Sequence, residues 1–132
     1  MASLQLKIET KAQPGEVWAA IEDFCALQTR LAPGFVVDTR LEPGVRVVTF
    51  ANGRVVREPM VTVDGASMRL VWTSQGGRAT HYNAALQVHR SDGATSVVWT
   101  ADFLPDAIEG DIAATMEAGM AAMKRTLDRL AA

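Results

Sequence analysis

The C-terminal segment, residues 106–132, is the longest stretch of helix-like periodicity in the chain. Its apolar residues recur at steps of three and four, which places them on one face of a helix. Asp106 followed three positions later by Glu109 resembles a capping box, so these two residues predict where the helix begins. A helix with one broad apolar face must lie against another surface. The residues on that face are Ile108, Ile112, Met116, Gly119, Met120, Met123, Leu127 and Leu130.

The residues before this helix contain seven short apolar segments, most of them alternating with polar residues, which predicts β-strands. They cover residues 4–8, 35–42, 45–50, 54–64, 67–74, 79–90 and 95–104. Short links between the last six segments indicate an antiparallel meander. Asn52-Gly53 predicts a tight hairpin in which both residues have positive φ. Pro59 removes a hydrogen-bond donor, so we expect a bulge or a free edge at that point.

Two short helices are predicted between the first and second strands. Pro14 suits the first turn of a helix, and the apolar residues among positions 15–24 recur at helical spacing. Residues 25–31 predict a second short helix, which ends before Pro33 and Gly34. The sequence therefore predicts an α+β fold, in which a seven-stranded, curved antiparallel sheet wraps around the long C-terminal helix.

The length of the chain fits one domain with its own core, so we expect a single domain over residues 1–132. An antiparallel sheet of this size must cover one face, and the terminal helix is the only predicted element long enough to do so. A curved sheet that grips one helix leaves a space between them. We expect the ligand site in that space.

Charge and composition argue against several classes of partner. The net charge is −2 and the arginines form no run, which argues against a nucleic-acid partner. No apolar run is long enough to span a bilayer, and no export signal is recognisable at the start. One cysteine, Cys25, excludes an internal disulfide and predicts a cytoplasmic location. We found no nucleotide-binding or metal-binding motif, so we expect no cofactor and no metal.

Strand alternation predicts which side chains face the space under the helix. The same alternation points His81 and His89 outward, where they could line a dimer face. Gly119, in the middle of the helix, is expected to leave room for a ligand at the cost of helix stability. The predicted ligand-binding residues are Glu58, Met60, Leu70, Trp72, Tyr82, Ala84, Trp99, Phe103, Met116, Gly119 and Met120.

Glu58 and Tyr82 are the polar side chains predicted in this otherwise apolar space, and both are candidate catalytic residues. Burial of a carboxylate in an apolar cavity favours its neutral form, which suits a general acid or base. Tyr82 offers an apolar ring with one hydrogen-bonding hydroxyl. The alternative is that Glu58 pairs with an arginine, Arg46 or Arg54, and only shapes the wall.

The chain resembles the helix-grip, START-like superfamily, which includes the birch-pollen allergen group, the plant abscisic-acid receptors and the polyketide cyclase/dehydrase branch. The resemblance is carried by PGEVWAAIEDF, by the segment from APGFVVD to REPMVTVD, and by THYNAALQVHR with TSVVWTADFLPD. It spans nearly the whole chain, and small bacterial members of the cyclase/dehydrase branch are the most similar.

The resemblance implies a hydrophobic cavity between the sheet and the C-terminal helix. It also implies that Glu58 in RVVREPM and Tyr82 in THYNA occupy ligand-facing positions, as in the hormone receptors. The long gate loop of those receptors is shortened here to the Asn52-Gly53 turn, and their cavity lysine has no match in FVVDT.

Three functions are compatible with these features. The first is a carrier or binding protein for a small, largely hydrophobic molecule, aromatic or polyketide-like. The second is a cyclase, dehydratase or lyase that needs no metal, in which Glu58 moves a proton and Tyr82 donates a hydrogen bond to the developing oxyanion. The third is a regulatory interaction module. A Glu58 without a cationic partner would favour the enzyme, and an ion-paired Glu58 would favour binding. The chain is expected to be a monomer or a homodimer.

Overall fold

The computed structural model describes residues 1–131 of the protein, and within them the predicted order of strands and helices is confirmed. The two α-helices are α1 (Pro14–Glu22) and α2 (Glu109–Leu130). A π-helical turn at Leu27–Leu31 follows α1, and a 3-10 turn at Asp106–Ile108 precedes α2. The strands are β1 (Ala2–Thr10), β2 (Val36–Glu42), β3 (Val45–Phe50), β4 (Val55–Asp64), β5 (Arg69–Thr73), β6 (His81–Ser91) and β7 (Ala94–Leu104).

The seven strands form one antiparallel sheet in the order β1-β7-β6-β5-β4-β3-β2. Strands β2 to β7 are a meander, because each pairs with the next strand along the chain. Strand β1 pairs with β7 over nine residues, which places it at the opposite edge from β2. This sheet curves around α2, so the predicted α+β helix-grip fold is confirmed. None of the helices within the described residues is long and apolar enough to cross a membrane.

The core lies between the sheet and the helices, and the apolar face of α2 fills much of it. Met116 and Leu127 are fully buried, as are Val97 and Phe103 of β7. Leu130 was expected on the same buried face, but it is exposed because it is the last residue of α2, next to the helix end.

The segment after α1 is more irregular than predicted. The expected helix over residues 25–31 is a single π-helical turn over Leu27–Leu31. The Ala32 N–H donates to the Leu27 carbonyl at 2.8 Å, a bond that reaches five residues back. Pro33 follows at once and disfavours further helix, so the turn ends there.

The predicted capping box at the start of the long helix is wrong. Asp106 lies in the 3-10 turn, and its side chain caps neither that turn nor α2. Its carboxylate instead lies 3.4 Å from the N-terminal amine of Met1. This follows from sheet pairing, since Ala2 is the partner of Phe103 and the amino terminus therefore reaches the end of β7.

The β3–β4 hairpin is also built differently from the expected two-residue turn. Gly53 has φ of 89°, but Asn52 does not have positive φ. The Asn52 Oδ1 accepts the Arg54 N–H at 2.9 Å, and the Gly53 N–H donates to the Phe50 carbonyl at 2.9 Å. The result is a three-residue loop. The two-residue turn with both φ values positive occurs at Asp92 (36°) and Gly93 (81°) instead.

The predicted irregularity near Pro59 is confirmed as a bulge. The pairing of β4 with β5 shifts between Met60 and Thr62, directly after the proline. A bulge bends the strand and interrupts the alternation of its side chains. This shift separates the inward-facing first half of β4 from its exposed second half.

Candidate functional site

A cavity of about 540 Å³ lies between the concave side of the sheet and the first half of α2. This volume falls within the usual range of small-molecule sites, roughly 300–1,000 Å³. Strands β2 to β7, the π-helical turn, the 3-10 turn and α2 all contribute to the wall. The wall is mainly apolar, and its large apolar side chains are Leu27, Leu31, Phe35, Val36, Phe50, Val56, Leu70, Trp72, Leu86, Trp99, Ile108, Ile112, Met116 and Met123.

The cavity opens to solvent between three connecting segments and α2. We call this opening the mouth. It is formed by the β3–β4 hairpin, the β5–β6 loop, the segment before β2 and the exposed side of the first half of α2. The exposed residues that line it are Gly34, Ala51, Asn52, Arg54, Gly77, Arg78, Asp111, Ala114 and Ala118.

Inside the cavity, Glu58 forms a buried ion pair with Arg46. The two residues are direct cross-strand partners on β4 and β3, and their exposed fractions are 7% and 4%. The Arg46 Nη2 and Nε atoms lie 2.6 Å and 3.0 Å from the Glu58 Oε1. The alternative that pairs Glu58 with an arginine therefore describes the site, with Arg46 as the partner.

Arg46 is held in place by the segment that follows α1. Its guanidinium lies 4.1 Å from the ring centroid of Phe24, and its Nη1 donates to the Phe24 carbonyl at 3.3 Å. The ring of Trp72 lies on another side of the same group, with its centroid 5.9 Å away. Arg46 thus links two strands and the helical segment, and it fixes the position of the Glu58 carboxylate.

Two tryptophans form the inner wall. The ring centroids of Trp72 and Trp99 are 6.1 Å apart, with the planes tilted by 48°. Both indole N–H groups are buried, and neither has a hydrogen-bond partner within residues 1–131. A buried donor without a partner costs roughly 1–3 kcal/mol. The inner wall therefore carries two unused donors in an otherwise apolar surface.

Tyr82 lies at the same wall, and its hydroxyl stays neutral over the ordinary pH range. Burial raises the pKa of the Tyr82 hydroxyl well above its usual value, and the nearby negative charge of Glu58 raises it further. The Trp99 indole N–H is close enough to lower this pKa, by less than burial and Glu58 raise it, but it is not placed for a hydrogen bond. Tyr82 therefore presents an O–H donor to the cavity.

The raised pKa of Tyr82 predicts a loss of stability in alkaline solution. The unfolded chain should release this proton near pH 10, whereas the folded chain retains it to higher pH. The contribution to the free energy of unfolding is therefore fully present below about pH 10 and declines above it. Tyr82 is the only tyrosine, so phenolate absorbance reports on it alone. We expect the Tyr82 hydroxyl to ionise at a higher pH in the folded protein than in the guanidinium-unfolded protein. Coincident titration curves for the two states would contradict the burial of this hydroxyl.

Six of the eleven predicted ligand-binding residues lie at the cavity wall, and five do not. Glu58 and Tyr82, the two candidate catalytic residues, are among the six. The other four at the wall are Leu70, Trp72, Trp99 and Met116. The five predicted residues outside the wall are Met60, Ala84, Phe103, Gly119 and Met120.

The three strand residues among these five lie outside the cavity wall for local reasons. Met60 lies at the β4 bulge, so it follows the alternation only partly and is half-buried beside the core. Ala84 faces inward but is small, and its partner Trp72 reaches the cavity instead. Phe103 is fully buried near the end of β7, opposite Tyr82, where core packing surrounds it.

The two helix residues lie outside the cavity wall because α2 approaches the sheet closely at Gly119. A Cβ atom on Gly119 would lie 2.8 Å from the Trp99 Cζ3 and 3.1 Å from the Phe35 Cε2. The space at this glycine is therefore occupied by rings rather than left for a ligand. Met120, the next residue, is buried in the core.

Sequence alternation missed the part of the wall that comes from turns. Phe35 and Phe50 pack edge to face, with ring centroids 5.2 Å apart, and both line the cavity. The Ala51 N–H donates to the Phe35 carbonyl at 3.0 Å, which ties the hairpin to the segment before β2. The available signal was weak: Phe35 directly follows Gly34, and Phe50 lies three residues before Gly53, both glycines being in predicted turns.

No group of three or more histidine, cysteine, aspartate or glutamate side chains suited to a metal ion occurs within the part of the chain that the structure describes. His81 and His89 are exposed on β6, on the outer side of the sheet. Cys25 is a free thiol, half-buried, with its Sγ 3.8 Å from the Thr39 carbonyl.

Comparison with solved structures shows that this architecture recurs. A Thermobifida fusca protein solved by NMR is 29% identical, with a TM-score of 0.75, and the match covers 98% of this chain and 95% of that one. Norcoclaurine synthase from Thalictrum flavum is 15% identical, with a TM-score of 0.75 and coverage of 98% and 86%. The di-domain ARO/CYC protein BexL from the BE-7585A biosynthetic pathway is 16% identical, with a TM-score of 0.82, and the match covers 97% of this chain and 47% of BexL.

Comparison with curated proteins gave no match. The family described as polyketide cyclase / dehydrase and lipid transport matches residues 1–132. This agrees with the sheet, the long C-terminal helix and the cavity between them, and with the resemblance carried by the sequence. The chain therefore belongs to the polyketide cyclase/dehydrase and lipid transport family.

Proposed function

We propose that the protein binds a small, largely apolar molecule in the cavity between the sheet and α2, as a carrier or binding protein. The observation that carries this proposal is the buried ion pair of Glu58 with Arg46. A carboxylate that acts as a general base in an apolar site needs an environment that leaves it free to take a proton. Here the Oε1 atom of Glu58 is already engaged by two nitrogen atoms of one guanidinium.

The polarity of the wall supports an apolar ligand with few polar atoms. The interior offers a neutral Tyr82 hydroxyl and the unpartnered indole N–H groups of Trp72 and Trp99, all of them donors. A ligand with one or two acceptor oxygens would match them, and apolar burial would supply most of the affinity. The two tilted indole rings favour a ligand with a planar ring.

The relatives support the same ligand class. The norcoclaurine synthase of Thalictrum flavum has been solved in complex with dopamine and hydroxybenzaldehyde, which are small ring compounds with oxygen substituents. The family description names both cyclisation or dehydration and lipid transport. Of these activities, the ion-paired Glu58 favours binding over chemistry in this chain.

A substitution at the mouth tests the proposal directly. Ala118 is exposed on α2 and lines the mouth, so Ala118→Trp should fold and place an indole across the opening. We expect it to weaken binding of the uncharged fluorescent probe N-phenylnaphthylamine by at least about tenfold, which corresponds to roughly 1.4 kcal/mol. Ala121 is exposed on the same helix and does not line the cavity, so Ala121→Trp is the matched control.

Fluorescence titration of the wild type and both variants gives the three affinities. Equal affinities in all three proteins, or no binding by the wild type, would contradict the proposed site. Native mass spectrometry of the protein purified from its own host would then identify the natural ligand. A co-purifying molecule that is lost from Ala118→Trp but kept by Ala121→Trp would assign it to this cavity.

A further inference from the structure

The charges that line the cavity differ in sign from the protein as a whole. The chain carries a net charge of −2. The lining, in contrast, contains three arginines and two carboxylates. A cavity lined by one excess positive charge in an acidic protein favours a ligand of negative charge.

The interior does not supply this excess charge. Arg46 and Glu58 neutralise each other, with both residues almost fully buried. Tyr82 is neutral, because burial holds its proton. An anionic group placed deep in the cavity would therefore meet no free cation, and the neutral hydroxyl and indole donors there would not replace a counter-charge.

The excess positive charge is at the mouth. Arg78 of the β5–β6 loop is ion-paired with Asp111 in the first turn of α2. Arg54 of the β3–β4 hairpin has no carboxylate within ion-pair distance among residues 1–131, and its side chain makes no hydrogen bond there. Its backbone is nevertheless fixed, since its N–H donates to the Asn52 Oδ1 and its carbonyl accepts the Phe50 N–H. The backbone of an arginine whose guanidinium is free is thus fixed beside an apolar cavity.

We propose that Arg54 forms an anion-binding subsite at the mouth, and that the ligand is an amphipathic acid. Its apolar body would lie against the tryptophans, and its carboxylate or similar group would remain at the mouth beside Arg54. Guanidinium groups pair well with such anions, because their N–H donors match carboxylate and sulfonate oxygens. This inference rests on the proposed binding function and names the class of ligand for the same cavity.

A pair of probes with the same rings separates the anion from the apolar body. Anilinonaphthalene sulfonate carries a sulfonate, and N-phenylnaphthylamine lacks it. We expect Arg54→Gln to weaken binding of the sulfonate about fivefold at low ionic strength, as for an exposed ion pair, and to leave the uncharged probe unchanged. Added salt should shrink the difference, because screening acts over roughly 10 Å at 0.1 M salt.

Asp111→Asn should act in the opposite direction. It removes the negative charge of the mouth and releases Arg78, so we expect sulfonate binding to tighten by about two- to fivefold while the uncharged probe again stays unchanged. Arg57→Gln is the matched control. Arg57 lies on β4, three residues after Arg54. Its side chain is exposed on the face of the sheet away from the cavity, where it pairs with Glu42.

The results distinguish this proposal from the one on which it rests. If the uncharged probe binds the wild type and is lost in Ala118→Trp, the cavity binds ligands whatever the outcome for Arg54. If Arg54→Gln then leaves sulfonate binding unchanged, or weakens both probes equally, the anion subsite is overturned. If neither probe binds the wild type, the cavity proposal fails and the subsite fails with it.

Discussion

Replacing Arg46 with methionine is expected to lower the free energy of unfolding by about 3–5 kcal/mol. The substitution leaves the Glu58 carboxylate buried without the guanidinium that now lies 2.6 Å from its Oε1. It also removes the stacking on Phe24 and the hydrogen bond to the Phe24 carbonyl, which tie the segment after α1 to the sheet. Urea or guanidinium denaturation at neutral pH measures the change.

The double variant Arg46→Met with Glu58→Leu decides whether the loss comes from the uncompensated charge. With both partners apolar, no buried charge remains, so we expect much of the lost stability to return. A double-mutant cycle with Glu58→Leu alone gives the coupling energy between the two sites. If the double variant is as unstable as the sum of the single variants, the packing of Arg46 matters more than its charge.

Arg57→Met is the control for this series. Arg57 lies one residue before Glu58 on β4 and also forms an ion pair, with its Nη1 2.6 Å from the Glu42 Oε1. This pair is largely exposed, so its loss should cost no more than about 1 kcal/mol. Equal effects at Arg46 and Arg57 would contradict the role assigned to burial.

Gly119→Ala is the second substitution with a large expected effect. In an exposed helix the change would stabilise the protein by about 1 kcal/mol, because alanine has the higher helix propensity. Here the new methyl group would lie 2.8 Å from the Trp99 ring and 3.1 Å from the Phe35 ring. Such a contact forces rings or backbone to move, so we expect a net loss of about 1–3 kcal/mol in the free energy of unfolding.

Gly110→Ala on the same helix is the matched control, since its added Cβ would meet no atom within 4 Å. We expect it to leave stability unchanged or to raise it by up to about 1 kcal/mol. Denaturation curves for the two variants should therefore shift in opposite directions. If Gly119→Ala is as stable as Gly110→Ala, α2 does not press on Trp99 as the structure shows.

Most of the secondary structure was predictable from local pattern. The period of two and the glycine turns located all seven strands, and the period of three to four located α2. Their order then allowed little besides a curved antiparallel sheet around one helix. The errors were at element ends, where Asp106 pairs with the amino terminus instead of capping the helix. Whether a carboxylate caps a helix depends on which other groups lie close enough to bind it. Here that group is the amine of Met1, which is distant in sequence, so the local pattern could not reveal it.

The candidate site was predictable only in part. Alternation placed Glu58, Trp72 and Tyr82 on the inner face, and the structure has them at the cavity wall. Alternation shows which face of the sheet a side chain is on, but not whether that part of the strand borders the cavity or the packed core. It therefore could not separate Phe103 in the core from Trp99 at the cavity. Phe35, from the turn before β2, was missed altogether.

The sequence by itself determined the fold and the inner face of the sheet, because both depend on hydrophobic periodicity along single segments. The tertiary structure decided the partner of Glu58, since register alone brings Arg46 opposite it across β3 and β4. The tertiary structure also decided which residues of the long helix α2 border the cavity and which pack in the core. Gly119 lets α2 approach Trp99 and Phe35, so the second half of the helix is mostly core, and apart from Met123 the helix residues that border the cavity lie in the first half. Close packing between distant segments sets that division, and no pattern within the helix records it.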